Sequence, residues 1–200
     1  MSFQTILRTA LTAIVACTAV TAAAAEPDAL DIRDAKAILK VLLSEVRSID
    51  RCGIYPSWTA YPNWFGANIP ADVARIFLDI ETDQGIKPPN PALRFETIVD
   101  PGPIGAAAFC DAAAEDAYAA ELAKVDPKGD VWFTTNAFSF PVFNKEHTQA
   151  VVLQNSFFLV WRRDGDKIER SHGGGDGNAV VLSKENGTWK VIMQRRTWVT

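Results

Sequence analysis

Val180-Val181-Leu182-Ser183-Lys184-Glu185-Asn186-Gly187-Thr188-Trp189-Lys190-Val191-Ile192-Met193 reads as two strands joined by a two-residue turn. Asn-Gly is the strongest short-range hairpin signal, because a type I′ turn needs positive φ at both central positions. The turn sets an expected register in which Leu182 opposes Val191 and Val180 opposes Met193, with Val181 meeting Ile192 on the other face. Apolar residues on both faces predict that one packs on helices while the other is curled over or covered.

Working back from this hairpin, the chain stays β in character as far as Val131. Thr148 to Arg162 is a long strand, turned back at Asp164-Gly165-Asp166. Val131 to Thr135 is a strand, and Phe138 to Phe143 another, where Pro141 implies an edge or a bulge. Before Val131 the period changes from two to 3.6. Ile32, Ala35, Leu39, Leu42, Leu43 and Val46 form the stripe of an amphipathic helix starting near Asp31. A second helix is expected from Ala71 to Thr82, entered through Pro70. A third is expected from Ile104 to Val125, stopped by Pro127-Lys128-Gly129. Between them Gly85 to Pro91 holds Pro88, Pro89 and Pro91 and must be a loop. The fold class is therefore α+β: N-terminal helices (30–125) segregated onto one face of a C-terminal antiparallel β-meander (131–200).

Residues 1–25 read as a secretory signal peptide. Arg8 precedes an apolar run from Thr9 to Val20, and Ala23 and Ala25 give a small-x-small cleavage site. The run is too short and alanine-rich for a membrane span, which needs about 20 strongly apolar residues. Ile14-Val15-Ala16-Cys17 is a competing lipobox, which would anchor the protein through a lipid on Cys17. Removing 25 of 200 residues leaves one domain, 26–200, whose net charge moves from −4 to about −5 with the loss of Arg8. An acidic domain of this kind has no broad attraction for nucleic acid. Cleavage after Ala25 leaves two cysteines, Cys52 and Cys110. In an oxidising compartment they are expected to form a disulfide.

The candidate functional features are few. Tyr55-Pro56-Ser57-Trp58 is followed after two residues by Tyr61-Pro62-Asn63-Trp64. Tyr55, Trp58, Tyr61 and Trp64 fall three apart, the repeat of polyproline II, so the four rings could line one side and stack on sugar rings or proline-rich peptide. Capping of the core, with Cys52 pinning the loop, is the plainer alternative. Ser171-His172-Gly173-Gly174-Gly175-Asp176-Gly177 is the second feature. Its glycines could gather backbone N–H groups around an anion, with His172 as a general base paired to Asp176 or Glu146. A flexible connector between strands explains the glycines equally well. His147 and His172 are the only histidines, and no ligand spacing points to a metal or another cofactor. Arg162, Arg163, Arg170, Arg195 and Arg196 read as a solvated sheet face. Asn186-Gly187-Thr188 matches a glycosylation sequon but is explained by the turn.

Phe138-Ser139-Phe140-Pro141-Val142-Phe143, Gly173-Gly174-Gly175, Leu182-Ser183-Lys184 and Gly187-Thr188-Trp189-Lys190-Val191, with a closing Trp198, resemble the C-terminal part of uncharacterised exported bacterial proteins. Those keep an F-S-x-P-x-F … G-G-G … L-x-K-x-x-G-x-W-K run. The resemblance covers about the last third of the chain and implies no activity. Taken together, the residues suggest a non-enzymatic periplasmic or cell-envelope domain that binds a glycan or protein partner. The alternative is a periplasmic hydrolase centred on His172.

Overall fold

The structure, a computed structural model, describes residues 27–46, 51–59, 67–95, 105–126, 129–164 and 167–200, without the side chain of His172. The expected signal segment, Cys17, Tyr61, Trp64 and the Gly165-Asp166 turn lie outside these residues.

The fold is α+β, as the two periodicities require. Five antiparallel strands form one sheet: β1 (Val131–Phe138), β2 (Val142–Phe143), β3 (Gln149–Asp164), β4 (Lys167–Glu185) and β5 (Thr188–Val199). Their order is β1-β3-β4-β5, with β2 also pairing β3. Asn186 and Gly187 take φ of 50° and 78°, and Leu182 stands opposite Val191 as the turn demands. One residue later the expected register fails. Met193 faces Val181, and Val180 faces Gln194, because a bulge interrupts the pairing between Val181 and Leu182. Ile192 is the residue left over, 47% exposed. The bulge twists β5, and a second one lies between Gly177 and Asn178. Together with Arg195 and Arg196 these irregularities guard the long outer edge against pairing with other chains.

Helices cover both faces of the sheet, which corrects the expectation of a single helical layer. The reason is the period-two alternation of apolar residues on β3 and β4. Ala150, Val152, Val180 and Leu182 pack under α1 (Ala29–Glu45), through its Ala35, Ile38, Leu39, Leu42 and Leu43. Val151, Leu153, Ala179 and Val181 point the other way, against Val73, Ala74 and Leu78 of α2 (Ala71–Leu78). Further along that second face, Val131, Phe133, Leu159 and Trp161 receive Ala119 and Ala123 of α3 (Ala112–Val125).

Helix limits follow local chemistry that periodicity misses. Asp28 caps α1 by accepting from Leu30 N and Asp31 N, while Asp31 returns the contact in a capping box. Asp79 takes the left-handed conformation and closes α2 at Leu78, short of the expected Thr82. The expected third helix is broken. Ala106–Ala108 forms a single 3-10 turn, Phe109 is extended, and α3 starts afresh after the cap Asp111. The break lets Cys110 reach Cys52, and the two form the expected disulfide. It also lets Cys110 N donate to Ile54 O, and Ile54 N to Ala108 O. The pinned segment then covers the outer edge of β1: Tyr55 N donates to Asn136 O, and Asn136 N to Gly53 O, both at 2.8 Å. Strand β1 runs on to Phe138 and breaks at Ser139–Pro141. Expected as one strand, Phe138 to Phe143 is thus split. The Ser139 hydroxyl accepts from Leu153 N at 2.9 Å and substitutes for a ladder bond there.

Candidate functional site

The aromatic repeat does not form an exposed ribbon at Trp58. That ring is 2% exposed, packed edge-on against Phe95 at 4.8 Å and Phe140 at 5.5 Å. The disulfide and the β1 edge contacts hold its segment down, so tertiary packing overrides the three-residue spacing. Tyr55 is half-buried beside the α2 cluster. Trp58 is therefore a core residue and not a ligand platform.

The glycine-rich stretch is neither connector nor anion loop: Gly173 to Gly177 lie inside β4. Their role is to make room. A Cβ on Gly177 would strike the Trp198 indole and Asn155, and one on Gly175 would strike the Ser156 carbonyl and the Trp198 ring. In that space Trp198 Nε1 donates to Asn155 Oδ1 at 2.7 Å. The backbone of His172 pairs opposite Leu159. Asp176 accepts from Asn178 Nδ2 at 3.3 Å and is held along its own strand. Glu146 is exposed in the turn after β2.

A histidine–carboxylate arrangement does exist, at His147. Asn144 builds the turn that carries it, its Oδ1 accepting from Thr148 N and Gln149 N at 2.9 Å each. His147 takes φ of 51° and stacks on Phe143 at 4.9 Å. Its Nε2 lies 3.6 Å from Asp31 Oδ1 and its Nδ1 3.9 Å from Asp34 Oδ2. Asp34 is buried and bound by Lys184 Nζ at 2.8 and 3.0 Å. Beside His147 opens a cleft of about 310 Å³ walled by Pro27, Pro89, Pro141 and Phe143, with Asp31 and Lys145 at its polar side. Among the described residues no Ser, Thr or Cys lines it.

A second buried carboxylate sits under α3. Glu115 is 1% exposed, and Arg170 Nη2 donates to its Oε2 at 2.5 Å. Burial raises its pKa above the ordinary glutamate value, against the opposing pull of the Arg170 charge. Arg170 also lies over the Trp161 ring at 5.5 Å, and Trp161 Nε1 donates to Asp116 Oδ1. These contacts tie α3 to β3 and β4.

The open feature is the far end of the first sheet face. The α1 cluster reaches Ala150 and Val152 on β3 but not Phe158 or Val160. In register, Trp132 stands opposite Val160 and Thr134 opposite Phe158, so all four share that face. Trp132 is 67% exposed and Phe158 48%. Phe158 is paired to Gly174, and a Cβ on the bulged Gly173 would strike Val160 while one on Gly174 would meet Thr200, so this row of β4 is limited to glycine by its neighbours. Sequence reasoning missed this pair. The signal was present: Trp132 alternates with Val131 and Phe133, so burying those two on α3 turns Trp132 outward.

No protein-family model matches the chain, and no curated protein or solved structure matches it. The likeness of its last third to exported bacterial proteins therefore rests on the quoted residues alone.

Proposed function

We propose that this chain is an exported, non-enzymatic binding domain that engages a cell-envelope partner through the open end of its sheet. One observation carries this reading: Trp132 and Phe158 are exposed diagonal neighbours on a sheet face that α1 leaves uncovered. Exposed contiguous apolar groups on a folded domain mark interaction sites. Export is supported by the signal-like segment 1–25 and by the Cys52–Cys110 disulfide. Among the described residues no helix is long and apolar enough to cross a membrane. Placing a photo-crosslinking amino acid at position 132 tests the proposal: an adduct should form in intact envelopes and be absent with the same probe at Ile76 on α2. Equal labelling at both positions would contradict it.

A second reading, hydrolytic, moves from His172 to His147. It is favoured by Nε2 of His147 facing Asp31 at the mouth of the proline-walled cleft. With no hydroxyl or thiol among the described lining residues, the chemistry that fits His147 is activation of water. Ester or amide turnover abolished by His147→Ala would establish it, and turnover unchanged by that variant would end it.

A further inference from the structure

We infer that the open sheet face is a platform for an uncharged glycan, an inference that rests on the binding reading above and narrows its ligand.

Size argues first against a protein partner. An aromatic side chain buries about 150–250 Å², so Trp132 and Phe158 together offer at most about 500 Å². Only 67% of Trp132 and 48% of Phe158 is exposed to supply it, against roughly 450 Å² of apolar surface within a stable interface of about 800 Å² per partner. Val160 adds only a half-buried side chain. The patch is too small to drive protein association, yet two rings suffice for stacking on the apolar face of pyranose rings. An amphipathic ring binds such a face with few rotatable bonds to immobilise.

Charge argues next against a charged ligand. On this face Arg162 stands directly opposite Glu169, and Asp164 opposite Lys167. Arg196 faces Asn178, with Asp176 two residues along the same strand. Each cation thus has an anion for a neighbour, and the face presents no field of one sign to steer a polyanion or polycation. Beside the rings it presents Thr134 and Ser171, and further along the strands, past Ser156 and Asp176, the paired Gln154 and Asn178, all partly exposed. Hydroxyl and amide side chains both donate and accept hydrogen bonds, which matches the hydroxyls of a neutral sugar.

Shape bounds the platform. Gly173 and Gly174 carry no side chains beside Phe158, and the space a Cβ would take is held by Val160 over the first and by Thr200 over the second. The rings are therefore bordered on the β5 side by Thr200, whose N donates to Gly175 O.

Affinity electrophoresis of the purified protein tests this. Gels would contain hydroxyethylcellulose or a linear β-glucan as neutral probes, and alginate as the anionic one. Retardation is expected in a neutral gel and absent in alginate, and Trp132→Ala or Phe158→Ala should weaken it at least about tenfold. Ile76→Ala, on the exposed side of α2, should leave it unchanged, and thermal melts should show that all three variants fold. Retardation in alginate alone, or in neutral gels but insensitive to Trp132→Ala, overturns the inference. If no gel retards the protein while Trp132→Ala abolishes a self-association seen in sedimentation, the glycan is wrong and the binding face stands. If Trp132→Ala changes neither, the binding face falls with it.

Discussion

Trp132 and Phe158 sit diagonally across β1 and β3, one residue pair apart, on the face that α1 does not reach. Two apolar rings left in water on adjacent strands are the exception among the described residues. Trp58, Trp161 and Trp189 are buried, and each packs within one of the core clusters.

That contrast gives a stability prediction. Trp58→Ala removes a ring wedged between Phe95 and Phe140 and should cost about 3–5 kcal/mol. Trp132→Ala removes an exposed ring and should stay within about 0.5 kcal/mol of the parent. Urea denaturation of the two variants measures the difference. Similar losses would mean that Trp132 is held in the fold and is not a free platform.

Gly177→Ala should destabilise by about 1–3 kcal/mol, because the new methyl displaces Trp198 from Asn155. Gly187→Ala meets no neighbour and suffers only the strain of φ 78°, about 1 kcal/mol. Denaturation midpoints should rank the two in that order, with loss of the Trp198 indole N–H signal in the first variant alone. The reverse ranking would show that the glycines of β4 serve the backbone and not the indole.

Glu115 should make stability fall as pH rises. Its folded pKa is raised by burial, so the stability it contributes is complete below the unfolded value of about 4.3 and is lost as pH climbs through the folded value. Glu115→Gln mimics the protonated form and removes that dependence. Melting temperatures taken across this range should therefore shift in favour of the variant as pH increases. A shift in favour of the parent would mean that the Arg170 contact outweighs burial.

The sequence was legible where a residue's own backbone chemistry decides the outcome. Asn186-Gly187 demanded a type I′ turn and formed one, and the stripe from Ile32 to Val46 formed α1. It was less legible where a distant partner decides. The bulge at Ile192 arises because α1 and α2 each claim apolar residues on opposite faces of the same hairpin. The third helix broke because Cys110 must meet Cys52 across a separation of 58 residues. Spacing alone left Trp58 open between a ligand platform and a core cap, because Phe95 and Phe140, which decide for the core, approach from elsewhere in the chain. The glycines looked like a connector because the ring they accommodate belongs to Trp198 on β5.

The most direct measurement is hydroxyl-radical footprinting of Trp132 and Phe158 in the purified protein and in intact cell envelopes. Both rings should be oxidised readily in isolation and protected in the envelope, with Ile76 oxidised alike in both. Equal oxidation of Trp132 and Phe158 in the two settings would contradict the assignment of this face as the binding surface.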